Sequence, residues 1–394
     1  MKAIVYHDRG DIRYDPNFPD PQIIRLDDVK IKVHYCGICG TDLKEYSDGP
    51  IFFPPKGELN EISQMESIQV MGHEISGEVI AIGDDVTNVK VGDKVVVEVT
   101  GTCLDRHRYQ DPKNGDLPKP NCPSCVSGNY NACDYLALIG CGFANGGCAE
   151  YLVVASLKVI AFDQNKIPMD IAALIQPIAV SWHAVKVSNF KPGSNALILG
   201  GGPIGLTTIF ALKGNQVSQI VLSEPALARR QLAEKLGVIT FDPTGKSIEQ
   251  CVEDLKKLSP GGYGYEYSYD CSGVKATFET GLKTLKIRGC ATNVAIWAHK
   301  SIPLYPMEIT LSEKMLTGSI CFVKKDFEES IKAIENGLIS IDELKMLITL
   351  KIHLQDGIEK GFLELINHKE KHIKILFSPK SEYLLSNGVN DSNK

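Results

Sequence analysis

The chain has 394 residues, a formal net charge of −6 and a pI near 5.9, with 43% apolar and 23% charged residues. This length predicts two or three domains with at least one full core, and the acidic balance argues against nucleic acid or anionic membrane as the main partner. There is no membrane-length apolar run and no signal-peptide profile at the amino end, so we expect a cytoplasmic protein whose twelve cysteines are reduced, with metal binding by some of them favoured over disulfides.

The first predicted domain, from residue 1 to about 184, is rich in strands. Val29, Ile31 and Val33 alternate with polar residues, and the runs MGHEISGEVIAIG and GDKVVVEV are short and interrupted by glycine and aspartate. Alternation of this kind is typical of strands with one buried face. The pattern predicts a compact β-barrel or sandwich.

A cysteine-rich segment, about residues 99–148, lies within this domain, and we call it the cysteine lobe. It is dense in proline, asparagine and glycine and has little periodicity, which is expected only where a ligand holds the chain. Four thiols are available as zinc ligands, from Cys103, Cys122, Cys125 and Cys133. A four-thiolate zinc site is closed, so it would stiffen the lobe and carry no chemistry.

From Ala196 the pattern changes to alternating strands and helices, which predicts a parallel sheet covered by helices on both faces. After about residue 322 the sequence predicts a further helix and the short strand IKILFS. The polar tail from about Lys380 is expected to fray.

A glycine-rich motif opens the first helix of this second region. Gly200, Gly202 and Gly205 form GxGxxG directly after the apolar strand ALIL, and Glu224 follows at the end of the next strand. In this context the motif predicts a dinucleotide site with the pyrophosphate at the amino end of the helix.

The acidic residue predicts the choice of cofactor. The carboxylate of Glu224 can accept hydrogen bonds from ribose hydroxyls but would repel a 2′-phosphate, which favours NAD over NADP. Arg229 and Arg230 leave the alternative open, because an arginine nearby could pair with a 2′-phosphate; their other interpretation is solvated helix charge.

A second set of metal ligands, Cys39, His73 and Glu74, combines a thiol, an imidazole and a carboxylate, which leaves a fourth zinc position for chemistry. The motif GHExxGxVxxxG at residues 72–83, together with CGICGTD, GGGPIG and the cysteine lobe, resembles the zinc-containing medium-chain alcohol and polyol dehydrogenases. Segments such as EYSDGPIFFP and LIQPIAVSWHAVK are similar to the yeast (R,R)-butanediol dehydrogenases within that family. The resemblance extends to about residue 380.

The resemblance implies a fold and a domain arrangement. It predicts a GroES-like β-barrel catalytic domain at residues 1–184 and 323–394, and a Rossmann domain with a doubly wound parallel sheet at residues 185–322. It also implies that residues 302–322 pair two cofactor domains, giving a homodimer or homotetramer.

For the active site, the resemblance implies that Cys39 and His73 bind a catalytic zinc, with Glu74 as a ligand or exchangeable partner. We expect Asp42 to orient a ligand imidazole and Thr41 to hydrogen-bond the substrate oxygen. In the cysteine lobe, the spacing of the last three cysteines matches that of the family's structural zinc. Cys103 is the expected fourth ligand, with His107 as the alternative because an insertion follows Cys103.

The chain departs from the family at two positions. Gln176 stands where many polyol dehydrogenases have a glutamate, and we expect it to contact zinc through water. Lys44 stands where the family commonly has a proton-shuttling histidine, so we expect the relay to bypass it. His183 lies in an apolar helical segment and is interpreted as a hydrogen-bonded core residue rather than a catalytic one.

These features together predict a zinc- and NAD-dependent dehydrogenase that oxidises a secondary alcohol and holds two zinc ions per chain. The closest resemblance implies a vicinal diol as substrate, 2,3-butanediol, with acetoin as the hydroxyketone in the reverse reduction. A sorbitol or xylitol type of polyol dehydrogenase is the alternative within the class. A non-catalytic NAD-binding sensor is the alternative outside it, suggested by Gln176 and Lys44.

Overall fold

We describe the protein from a computed structural model, which covers residues 1–109, 120–297, 301–368 and 370–384. The part of the polar tail beyond residue 384 lies outside these ranges. In chain order the strands are β1 (Ala3–Asp8), β2 (Asp11–Asp15), β3 (Asp28–Gly37), β4 (Gln69–Val70), β5 (Glu74–Ile82), β6 (Lys94–Val97), β7 (Thr100–Gly101), β8 (Ala137–Ile139), β9 (Gly142–Ala144), β10 (Tyr151–Ala155), β11 (Val159–Ala161), β12 (Asn195–Leu199), β13 (Gln219–Ser223), β14 (Ile239–Phe241), β15 (Tyr265–Asp270), β16 (Leu285–Asn293), β17 (Met315–Gly318), β18 (Ile348–His353) and β19 (Lys374–Ser378).

The α-helices, again in chain order, are α1 (Gly40–Asp48), α2 (Arg106–Tyr109), α3 (Pro123–Val126), α4 (Met169–Ala172), α5 (Ile175–Val187), α6 (Pro203–Gly214), α7 (Leu227–Lys235), α8 (Ile248–Leu258), α9 (Lys275–Lys283), α10 (Met307–Thr310), α11 (Lys324–Glu335), α12 (Ile341–Lys345), α13 (Glu364–Asn367) and α14 (Ser381–Leu384). Within the described ranges, no helix has the length and apolar character needed to cross a membrane.

The chain divides into two compact units, Met1–Gln176 with Leu347–Lys394, and Pro177–Met346. The predicted domain boundaries at residues 184 and 323 stay predictions. Within the second unit, the Asp326 carboxylate accepts hydrogen bonds from His183 and Lys186 and so ties α11 to α5. All of α11, and all of α5 except its first two residues, lie in this unit.

The first unit is built around a seven-stranded sheet that is antiparallel except for the parallel pair β18 and β19. Its strands run in the order β11-β6-β5-β3-β19-β18, and β10 also pairs with β3. Val29, Ile31 and Val33 are buried in β3 while the lysines between them are partly exposed, as the alternation predicted. Burial of one face of each strand drives this arrangement.

Strand register brings distant residues to one end of the sheet. Gly37 at the end of β3 pairs with Glu74 at the start of β5, and it also pairs with Leu376 in β19. Cys39 and His73, which lie just beyond these strand ends, are therefore placed close to each other. A side chain at Gly37 would collide with Glu74, since its Cβ would lie 2.1 Å from the Glu74 Oε2.

The second unit contains a six-stranded parallel sheet in the order β14-β13-β12-β15-β16-β17. The order reverses between β12 and β15, and in such sheets ligands bind beside the carboxyl ends of the strands at this point. Both predicted components of the fold class, the β-rich domain and the doubly wound parallel sheet, are confirmed.

Candidate active site and metal sites

Helix α1 positions the first candidate zinc ligand. Cys39 precedes the helix as its N-cap, and its backbone N–H donates to the Asp42 Oδ2 at 2.9 Å. The other carboxylate oxygen of Asp42 lies 3.3 Å from the Nδ1 of His73, and both side chains are about 1% exposed. One carboxylate thus fixes the start of α1 and faces the histidine ring.

This arrangement fits a metal ion between the thiol and the imidazole. With Nδ1 facing Asp42, the Nε2 of His73 is the nitrogen available for a ligand bond. Burial disfavours the imidazolium, but the charges of Asp42 and Cys39 outweigh burial and raise the pKa of His73 well above its usual value. Zinc binding would then displace a proton from this pocket.

Glu74 is held by a buried lysine that the sequence analysis missed. The Nζ of Lys374 lies 2.6 and 2.8 Å from the two carboxylate oxygens of Glu74 and donates to the Ile38 carbonyl at 3.1 Å. Burial disfavours the ammonium, but Glu74 outweighs it and raises the pKa of Lys374. Coordination of zinc by Glu74 therefore stays a prediction, since the lysine engages both oxygens. A charged residue within the fully buried strand KILFS was the signal that could have revealed this partner.

The cysteine lobe brings its four predicted ligands together. The sulfur atoms of Cys103, Cys122, Cys125 and Cys133 all lie within 4.8 Å of one another, and no other group of three or more candidate metal ligands occurs among the described residues. The Cys122 and Cys133 sulfurs are 3.7 Å apart. Tetrahedral zinc with Zn–S bonds of about 2.3 Å requires S–S distances of about 3.8 Å, so the group fits zinc.

The alternative ligand His107 lies outside this group. It is exposed, and its Nδ1 lies 2.8 Å from the Leu104 carbonyl oxygen. Within the group, backbone N–H groups of Asp134 and Cys125 lower the pKa of Cys122 to about 6. A thiol with this pKa is readily deprotonated for metal binding.

In the second unit the glycine motif has the geometry that dinucleotide binding needs. Gly200 has a φ of 101°, which side chains rarely adopt, and the position of the Gly202 Cβ faces open space. At Gly205 a Cβ would lie 1.8 Å from the Gly200 carbonyl oxygen, so only glycine allows α6 to pack this closely. Pro203 begins α6 directly after the loop.

Glu224 lies just beyond β13 and faces the glycine loop. Its two carboxylate oxygens accept hydrogen bonds from the backbone N–H groups of Gly201, at 2.5 Å, and Ala226, at 2.9 Å. Arg230 donates to the Glu224 carbonyl and pairs with Asp242 at 2.7 Å. Arg230 is thus engaged within the protein, while Arg229 is half-buried on the same helix.

A cavity of about 340 Å³ adjoins this loop within the second unit. It lies beside the carboxyl ends of β12 and β13 and is lined by residues that include Leu199, Pro225, Ile248, Cys251 and Thr277. An apolar pocket of this size with a few polar groups is typical of a small-molecule site.

The remaining predicted residues are placed as follows. The Thr41 hydroxyl lies 3.7 Å from the Cys39 sulfur, and Lys44 is exposed on the same helix. Gln176 is buried near the start of α5, and its predicted contact with zinc stays a prediction. His183 bonds to the Asp326 carboxylate at 2.8 Å, in accord with its interpretation as a core residue.

Comparisons with known proteins cover both units. Residues 25–164 match the family described as alcohol dehydrogenase GroES-like domain, and residues 203–336 match the family described as zinc-binding dehydrogenase. The (R,R)-butanediol dehydrogenase of Saccharomyces cerevisiae is 48% identical over 96% of this chain and 98% of its own length. A second protein of that yeast, named as a probable (R)-acetoin-forming diacetyl reductase, is 45% identical over 100% of this chain and 94% of its own.

A solved structure supports the same similarity. The crystal structure of 2R,3R-butanediol dehydrogenase from Bacillus subtilis matches with a TM-score of 0.83 and 32% identity, over 96% of this chain and 99% of that one. The likeness therefore extends through nearly the whole length of the sequence.

Proposed function

Because the chain belongs to the zinc-containing medium-chain alcohol and polyol dehydrogenases, as its motifs predicted, we propose that it oxidises a vicinal diol to a hydroxyketone with NAD. The favoured pair is 2,3-butanediol and acetoin, since the relatives at 45% and 48% identity carry names of this chemistry. Relatives named for sorbitol are more distant, at 26% identity. The observation that carries the proposal is the pairing of Cys39 with His73 beside Asp42.

The metal would be held by Cys39 and His73, with Glu74 as a third ligand only if it shares its carboxylate with Lys374. When bound there, zinc would supply a Lewis acid that lowers the pKa of an alcohol hydroxyl toward neutral pH. Asp42 keeps the imidazole in the orientation that ligation needs. Gln176 would contribute a neutral hydrogen-bonding amide, so it adds no negative charge to the pocket.

We expect Thr41 to accept the proton of the substrate alcohol. Its hydroxyl can accept the alcohol proton and donate its own onward, and it lies on the first turn of α1 close to the Cys39 sulfur. Lys44 cannot take over, because an ammonium group has no lone pair to accept a proton. We therefore expect Thr41 to pass the proton onward to water. NAD, when held at the glycine loop and beside Glu224, would supply the acceptor for the hydride that leaves the alcohol carbon.

Glu224 supports the choice of NAD. Its carboxylate is fixed by two backbone N–H groups, and its remaining lone pairs can accept hydrogen bonds from ribose hydroxyls. The 2′-phosphate of NADP would be repelled by this carboxylate. Arg230 would not neutralise the phosphate, because it pairs with Asp242. The cavity beside the glycine loop would hold the adenosine.

A homodimer or homotetramer is the proposed assembly. Strand β17 is the edge strand of the parallel sheet, and Met315 and Leu316 on it are exposed, as are Tyr305, Leu311 and Ile320 around it. An apolar edge with unpaired backbone groups is a site for pairing with another strand. We propose that two cofactor domains pair there. The reduced thiols that both metal sites need fit a cytoplasmic protein.

The test is NADH formation over a panel of diols and polyols, using protein whose zinc content per chain has been measured. We expect 2,3-butanediol to have a higher kcat/KM than sorbitol or xylitol, and NAD to be preferred over NADP. Preference for sorbitol would favour the polyol alternative. Absence of turnover on every alcohol by a fully metallated sample would favour the sensor.

A matched pair of variants tests the proton relay. Thr41→Val removes the hydroxyl and should lower kcat by about 100-fold, the lower end of proton-transfer catalysis, whereas Thr41→Ser should retain most activity. Equal activity of the two variants would contradict the role of the hydroxyl.

A further inference from the structure

A buried lysine contacts the carboxylate of Asp105, in the turn that begins with the first cysteine of the cysteine lobe. Lys158 precedes β11, its side chain is 7% exposed, and its Nζ donates to the Thr100 carbonyl at 2.6 Å. The same nitrogen lies 3.4 Å from the Glu98 Oε2 and 3.7 Å from the Asp105 Oδ2. Two buried carboxylates therefore share one cation.

These carboxylates shape the backbone on both sides of the strand that leads to the lobe. The Asp105 Oδ2 accepts from the Thr102 N–H at 2.9 Å and from its hydroxyl at 3.3 Å, which closes the turn at Cys103–Asp105. Glu98 accepts from the Thr100 N–H at 3.2 Å and from the Thr100 hydroxyl. The turn at Cys103 is thus held by Asp105, whose carboxylate also contacts Lys158.

Cys103 needs such a support more than the other ligands do. Cys122, Cys125 and Cys133 lie in one short segment whose own turns bring them together, but Cys103 precedes Cys122 by 19 positions. Bringing the ends of so long a segment together carries an entropic cost that local turns cannot offset. The Cys103 N–H donates to the Cys133 sulfur at 3.3 Å. The first ligand is therefore held next to the other three by a hydrogen bond within the protein.

The positive charge of Lys158 also offsets the negative charge that gathers around the cysteine lobe. Four thiolates around Zn²⁺ carry a net charge of −2, and Glu98 and Asp105 would add two buried negative charges nearby. Without the ammonium these carboxylates would repel each other and the thiolates, and the turn at Cys103 would lose its support.

We propose that Lys158 is a positioning residue for the zinc of the cysteine lobe, holding Glu98 and Asp105 so that the Cys103 thiol is preorganised for the metal. The inference rests on the proposed zinc in the lobe. It assigns no role to Lys158 in the oxidation itself.

The experiment follows the lobe thiols directly in the zinc-loaded protein. Alkylation by N-ethylmaleimide is timed by mass spectrometry of the peptides that carry Cys122 and Cys133, with zinc release to a chromogenic chelator measured in parallel. Loss of an outer support typically lowers metal affinity by about 10- to 100-fold, so Lys158→Met should react and release zinc faster by about that factor. The thiol of Cys39 should react at an unchanged rate.

Lys351→Met is the matched control, because Lys351 forms an ion pair with the buried Asp170 in the same unit, at 2.5 Å. Equal acceleration in Lys351→Met, or none in Lys158→Met, would overturn the inference. If Lys158→Met fails to fold, Asp105→Asn should show the same acceleration, and its absence would also overturn it. Lobe thiols that react freely in zinc-loaded wild-type protein would overturn the zinc assignment itself.

Discussion

Replacing Lys374 by methionine should destabilise the barrel strongly. The ammonium is 3% exposed and Glu74 is fully buried, and the two are joined at 2.6 and 2.8 Å. Methionine keeps much of the side-chain volume but leaves the carboxylate without a cation. The carbonyl oxygen of Ile38 loses its donor as well.

The magnitude follows from the geometry. At about 2.7 Å and an effective dielectric constant of about 20, the attraction between Lys374 and Glu74 is about 6 kcal/mol before desolvation. Removing one partner of such a buried pair costs about 3–5 kcal/mol, because the other charge stays buried and uncompensated. For a unit of this size, each kcal/mol shifts Tm by about 2–4 °C, so a drop of about 6–20 °C is expected.

The assay is thermal unfolding by calorimetry, on both zinc-loaded and chelator-treated protein. Lys94→Met is the control, because its ion pair with Glu78 in the same sheet is partly exposed, and it should cost no more than about 1 kcal/mol. Combining Lys374→Met with Glu74→Gln should recover much of the lost stability, since neither member of the ion pair is then left as an uncompensated charge. The reasoning is refuted if Lys374→Met is as stable as Lys94→Met, or if the double variant is no more stable than Lys374→Met alone.

Three further predictions concern the cofactor, the metal and pH. Glu224→Ser should lower the preference for NAD over NADP by about tenfold, equivalent to about 1.4 kcal/mol, as measured by the ratio of kcat/KM values; an unchanged ratio would contradict the role of the carboxylate. Asp42→Asn should weaken zinc binding at His73 by about 10- to 100-fold in competition with a chelator, while the lobe zinc is retained. Burial is the main cause that lowers the pKa of His34 in the folded protein to about 4, below its usual value of about 6.5. Between these two pH values the unfolded chain binds a proton at His34 that the folded protein does not. Stability should therefore fall as the pH drops from about 6.5 to about 4. The variant His34→Phe can keep the stacking on Tyr383 and should make Tm less dependent on pH in this range. An equal slope of Tm against pH in both proteins would contradict the role of His34.

Part of the site could be predicted because its signals are local. The tight turn at Gly200 and the close packing at Gly205 follow from positions a few residues apart, and the four lobe cysteines have metal-ligand chemistry whatever surrounds them. The buried partner of Glu74 could not be predicted in this way, since Lys374 is 300 positions away. Likewise, the tie between α5 and α11 depends on Asp326, which lies 143 positions from its partner His183.

The sequence by itself determined the class of the protein, since periodicity, glycine spacing and ligand type are properties of neighbouring residues. Tertiary structure alone decided which charges meet in the barrel, including Lys374 with Glu74 and Lys158 with Glu98 and Asp105. Pairs of this kind form only when strand register brings distant segments together. Their strength comes from burial, which no short stretch of sequence records.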